Sequence, residues 1–150
     1  MAYSFSATRP INPPGVEPLL TEEQVWKGLE FKSRNPAVFI PVISSDKTIS
    51  DEGNKLVREV VVGSEVMTET IELHAAAIVY YEMNTGVRIT NLLSHGPGGE
   101  LLLSYCFANG IPGVSADKPK PAARELNTQV GKAVEKTIGI IRQMVLDGKL

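Results

Sequence analysis

Apolar and polar positions change rhythm three times along the chain. Tyr3 to Thr8 alternates rings and small residues and predicts a short strand. Arg9 to Pro18 holds four prolines and a glycine, which predicts an ordered loop or extended arm. A helix opens after it. Thr21 and Gln24 have the spacing of a capping box, and Glu22 and Glu23 suit the positive end of a helix dipole. Its apolar face is Val25, Trp26 and Leu29, and Asn35-Pro36 ends it, because a residue before proline avoids the helical region. A short second turn is predicted over Ala37 to Ile40.

From Val42 to Phe107 the period becomes two, which predicts six strands at 42–49, 55–62, 65–73, 77–83, 87–93 and 100–107. The separations between them are short, so the strands should run as an antiparallel meander. Ile111 to Pro121 is a loop rich in Pro, Gly and Lys. Ala122 to Leu146 then shows apolar residues at helical spacing, from Leu126 through Val134 and Ile138 to Val145, and Gly148 is placed to cap it. The order predicts one α+β domain over residues 1–150, a curved antiparallel sheet gripping a long C-terminal helix with an internal cavity between them.

The Gly63-Ser64 turn sets side-chain direction. A two-residue loop with glycine first suits a type II′ turn, which pairs Val62 with Glu65, Val60 with Met67, Arg58 with Glu69 and Leu56 with Ile71. One face then carries Leu56, Val60, Val62, Met67, Ile71 and Leu73, with Arg58 and Glu69 opposite each other within it. A three-residue loop at Asn84-Thr85-Gly86 sets Tyr81 against Ile89 and Val79 against Asn91. A similar loop at 74–76 would put Tyr81 beside Glu69. Leu101, Leu103, Tyr105 and Phe107 complete the inner face.

An isolated charge pair on an apolar face is open to two explanations. It is a buried salt bridge holding the register, which often adds little net stability. Alternatively it is a polar anchor or acid/base pair in a ligand cavity, since pockets are mostly apolar with a few convergent polar groups. The second reading makes Arg58, Glu69 and Tyr81 the catalytic candidates, with Trp26, Phe39, Asn91, Tyr105, Phe107, Val134 and Ile138 as substrate-binding residues.

Composition narrows the chemistry further. With 15 Lys+Arg against 17 Asp+Glu the net charge is -2, so no positive field draws nucleic acid. No apolar run reaches the ~20 residues of a membrane span, and the start does not read as a signal peptide, so the expected location is cytoplasmic. Two His and one Cys leave too few ligands for a structural zinc site and no disulfide pair, so neither metal nor cofactor is expected. Cys106 reads as a small core residue, and His74 and His95 as solvated turn residues.

With these segments in view, the chain resembles the START-like, or SRPBCC, superfamily with its helix-grip (Bet v 1-like) fold, and within it the AtaL-like family. The likeness is carried by INPPG (11–15), LLTEEQVWKGLEFKSRNPAVFIPVI (19–43), LVREV (56–60), Thr68 to Leu73, RITNLLSHGPGGELLLSY (88–105) and the final helix. The resemblance implies a deep apolar cavity. Members of the superfamily bind lipids, hormones and polyketides, and some catalyse cyclisation, dehydration or condensation. Two functions follow as expectations: a cofactor-free cyclase, lyase or isomerase on a hydrophobic natural-product intermediate, or a non-catalytic lipid or polyketide carrier. A protein-interaction module is a third, weaker option, and a homodimer is a possible assembly.

Overall fold

The computed structural model describes residues 2–150, and its elements follow the expected order. These are β1 (Phe5–Pro10), α1 (Glu22–Arg34), α2 (Pro36–Phe39), β2 (Ile43–Asp51), β3 (Lys55–Val62), β4 (Glu65–His74), β5 (Ile78–Met83), β6 (Arg88–His95), β7 (Leu101–Ala108) and α3 (Ala123–Leu146). All seven strands join one antiparallel sheet in the order β1-β7-β6-β5-β4-β3-β2, a meander with the N-terminal strand added beside the last. This is the helix-grip arrangement, a curved open sheet around a long C-terminal helix.

Local chemistry accounts for most boundaries. Thr21 Oγ1 accepts from the Gln24 amide and Gln24 Oε1 from the Thr21 amide, so the capping box forms in both directions. At the other end of the chain Gly148, with φ +70°, donates to the Val145 carbonyl and Lys149 donates to that of Met144. This is a Schellman ending, in which the left-handed residue is most easily glycine. Several boundaries differ from expectation: β2 runs on to Asp51, β4 to His74 and β6 to His95, and α2 spans Pro36–Phe39. Residues 9 and 10 belong to β1 and not to the following loop, pairing with Leu103 and Leu102. β1 is an edge strand, where the missing proline N–H costs no ladder bond.

Coverage of the sheet is uneven. α3 packs against β1 and β7 and touches α1, burying Leu126, Val130, Val134 and Ile141 with Leu103. α1 and α3 approach closely: a Cβ added at Gly28 would stand 2.6 Å from the Ile141 side chain. Gly131 is likewise a close-approach position, because the Arg9 guanidinium lies across it. Gly139 differs, being exposed, and a Cβ added there would meet nothing within 4 Å. Beyond β6 the sheet meets only short cover, with α2 lying beside β2.

Candidate active site

The β3–β4 hairpin has the register that the Gly63-Ser64 turn predicts. Gly63 takes φ +62°, and Val62 pairs with Glu65, Val60 with Met67, Arg58 with Glu69 and Leu56 with Ile71. The pair therefore faces inward: Arg58 is 4% exposed and Glu69 7%. Arg58 Nη2 donates to Glu69 Oε2 at 2.9 Å. Its Nη1 donates to the Ser33 carbonyl in the last turn of α1. Carbonyls there lack helical partners and favour a cation, so one guanidinium ties the helix end to the sheet.

Tyr81 lies elsewhere along β4 than expected. It pairs with Ile71, and Glu69 pairs with Met83. The turn is Ala75–Ala77 and β4 runs on to His74, which pairs with Ile78 and displaces the register by two residues. A shift of two preserves the side of the sheet, so Tyr81 still faces inward and is buried. The β5–β6 register is the expected one, with Val79 opposite Asn91 and Tyr81 opposite Ile89.

Sequence reasoning missed a residue at the centre of this cluster. Lys32, in the last turn of α1, is only 6% exposed. Its Nζ donates to Asn91 Oδ1 at 2.9 Å and sits 4.4 Å from the Tyr105 ring centroid and 5.3 Å from that of Tyr81. The signal was present: Lys32 follows Val25 by seven and Leu29 by three, on the same helix stripe. Burial holds the Lys32 amine below its ordinary range; the nearby Arg58 charge acts the same way, while Tyr81 and Glu69 act against it. Burial pushes the Tyr81 and Tyr105 phenols up, and Tyr105 shares a hydrogen bond with Thr137 of α3.

Two neighbouring spaces adjoin the cluster. A recess of about 40 Å³ is walled by Lys32, Pro36, Ile40, Arg58, Glu69, Tyr81 and Ile89. A larger apolar pocket of about 330 Å³ lies over β3–β7, between the Ile40–Ile43 corner and the Gly110–Pro112 loop. Glu69, Ile40 and Ile89 belong to both walls. Ile40 and Val42 are exposed at its edge.

Among the expected site residues, Arg58, Glu69 and Tyr81 line the recess and Phe107 the pocket. Asn91 and Tyr105 stand behind the recess, holding Lys32. Trp26, Phe39, Val134 and Ile138 are core residues that line neither space. No α3 side chain reaches the larger pocket either, because the helix is packed down onto β1 and β7. His74 and His95 are exposed, and Cys106 is on the outer face of β7. Among the described residues no three His, Cys, Asp or Glu side chains gather as metal ligands, and no helix is long and apolar enough to cross a membrane.

Comparison with known proteins gives this geometry a setting. Residues 5–148 match the family model described as AtaL, acetylaranotin biosynthesis cluster protein L. No curated protein sequence matches the chain. Among solved structures, the Zhui aromatase/cyclase from a Streptomyces species is 17% identical, with a TM-score of 0.57 over 95% of this chain and 94% of that one. Ara h 8.0201 is 18% identical, with a TM-score of 0.55 over 97% and 98%. StfQ, a di-domain aromatase/cyclase of the steffimycin pathway, is 8% identical, with a TM-score of 0.62 over 93% of this chain and 50% of its own length.

Proposed function

The chain belongs to the AtaL family, and from that premise we propose that it is a cyclase-type enzyme of natural-product biosynthesis, acting without a cofactor on an apolar carbonyl intermediate. The observation that carries this reading is the placement of Glu69. Its carboxylate is fixed by Arg58 at 2.9 Å, and the residue belongs at once to the walls of the small recess and of a 330 Å³ apolar pocket. A substrate body in the pocket would bring a carbonyl end to that carboxylate. The aromatase/cyclase character of Zhui and StfQ supports the same class of reaction.

The chemistry balances with the residues present. Glu69 takes a proton from the carbon beside a carbonyl, and the electron pair moves onto that carbonyl oxygen as an enolate. The enolate carbon attacks a second carbonyl of the same chain, forming the ring bond. The resulting alkoxide recovers the proton from Glu69. Holding the two reacting carbons together contributes several kcal/mol, since orientation alone is worth up to roughly 7–11 kcal/mol.

The test is to add the purified protein to the accumulated intermediate of its gene cluster and follow the product by mass spectrometry. Glu69→Gln should keep binding and lower the rate by about 10²–10⁴-fold. Wild type and Glu69→Gln binding the intermediate equally, with neither changing it, would leave a carrier. The Arg58 bond to the Ser33 carbonyl is compatible with that second reading, because it gives Arg58 a structural role that needs no chemistry.

A further inference from the structure

The buried cluster has more donors and more positive charge than it can use. Arg58 and Lys32 bring two cationic groups, and Glu69 is the one carboxylate among the recess walls. Arg58 Nε, Tyr81 Oη and Asn91 Nδ2 are all buried without a hydrogen-bond partner, and each can donate. Lys32 has three N–H bonds and one protein acceptor, Asn91 Oδ1. Unsatisfied buried polar groups cost roughly 1–3 kcal/mol each, and two of these, Arg58 Nε and Tyr81 Oη, belong to walls of the recess and call for a ligand that accepts.

Size restricts that ligand. About 40 Å³ is room for about three waters or for one small oxygen-bearing group, given that a water needs roughly 10–15 Å³. The apolar remainder would lie in the 330 Å³ pocket that shares Glu69, Ile40 and Ile89 with the recess.

We infer that the ligand's reacting end is a delocalised oxyanion, a carboxylate or the enolate of a β-dicarbonyl, received in the recess by Lys32, Arg58 and Tyr81. The inference rests on the pocket being the ligand site proposed above and adds the chemical class of the head group. Lys32 supplies the charge that Arg58, already engaged by Glu69, cannot supply in full. The faces of Tyr81 and Tyr105 and the Asn91 carbonyl hold the amine until the anion arrives. Glu69 opposes an anion and Arg58 favours one, so Lys32 decides the balance. A bound anion would raise the proton affinity of an amine that burial holds low.

Titration calorimetry of the full chain tests this with decanoate, methyl decanoate and decanol. Decanoate should bind at least about tenfold more tightly than the ester or the alcohol. In some part of a pH series from neutral to 10.5 its binding should take up protons, read from heats in buffers of different ionisation enthalpy. Lys32→Met should abolish both the preference and the uptake while the ester still binds. Benzoylacetone, whose enolate absorbs at longer wavelength than the neutral form, reports whether the recess also receives enolates. Equal affinity for acid and ester overturns the oxyanion and leaves the pocket reading standing. No binding by any probe overturns both. If Lys32→Met does not fold by circular dichroism, the wild-type protein decides alone: a preference for decanoate without proton uptake anywhere in that pH series removes Lys32 from the assignment.

Discussion

The two ends of the sheet meet the protein interior in opposite ways. At the β1–β7 end α3 lies flat on the strands, and Leu103, Leu126, Val134 and Ile141 close the space between them completely. At the β3–β5 end the inner face meets only the end of α1, through Lys32 and Ser33, rather than the length of a helix. Val62, Met67, Met83 and Val87 remain only partly buried and wall a pocket, and charged side chains stand where a core would have leucine. The contrast separates stability from chemistry along one sheet. A close-packed half gains from every methylene it buries. A half that leaves space and buries charge gives up that gain and keeps room for something else.

The contrast can be broken by substitutions at each end. Leu103→Ala opens a cavity in the packed half and should lower stability by about 3–5 kcal/mol in chemical denaturation. Met67→Ala faces space that already exists and should cost under about 1.5 kcal/mol. Equal losses would show that the pocket is closed in solution. Lys32→Met comes next, with an expected gain of about 1–2 kcal/mol at neutral pH. Burial lowers the folded-state pKa of Lys32 from 10.5, so between the lowered value and 10.5 the unfolded chain binds more protons. Stability of the wild type therefore rises with pH across that window, and the penalty is full below it. The advantage of the methionine variant should shrink as pH approaches 10.5, which denaturation at a series of pH values would read. The smallest effect belongs to α3, where Gly139 is exposed with open space around it. Gly139→Ala should raise the melting temperature through a gain of about 0.8–1 kcal/mol in helix propensity, without altering ligand binding.

Strand direction was legible in the chain because it depends on neighbours. Gly63-Ser64 and Asn84-Thr85-Gly86 determine pairings within their own hairpins, and from them Arg58, Glu69, Tyr81 and Asn91 could all be turned inward. The Ala75–Ala77 turn carries no comparable signal, as three alanines favour no turn type, and the two-residue error in the Tyr81 position arises there. Lys32 was passed over for a different reason. Lysines on an apolar stripe usually extend their amine to water. Here Tyr81, Tyr105 and Asn91 arrive from three separate strands to enclose it, a convergence that no local pattern contains. The place of the pocket was also hidden. The length and amphipathicity of α3 predict that it covers the sheet, but which strands it covers depends on Arg9 crossing Gly131 and Ile141 meeting Gly28.

The two-residue turn at Gly63-Ser64 has a consequence for how such a gene can change. Losing or gaining one codon there would send Arg58 and Glu69 to opposite sides of the sheet, and the charged pair with its recess would vanish in a single step. Changes by two codons would slide the strands yet keep every side chain on its own side, much as the displaced β4–β5 pairing still presents Tyr81 to the interior. Insertions and deletions in descendants of this sequence should therefore be tolerated in even numbers at the hairpins, so that loop length there carries a parity the open ends of the chain do not.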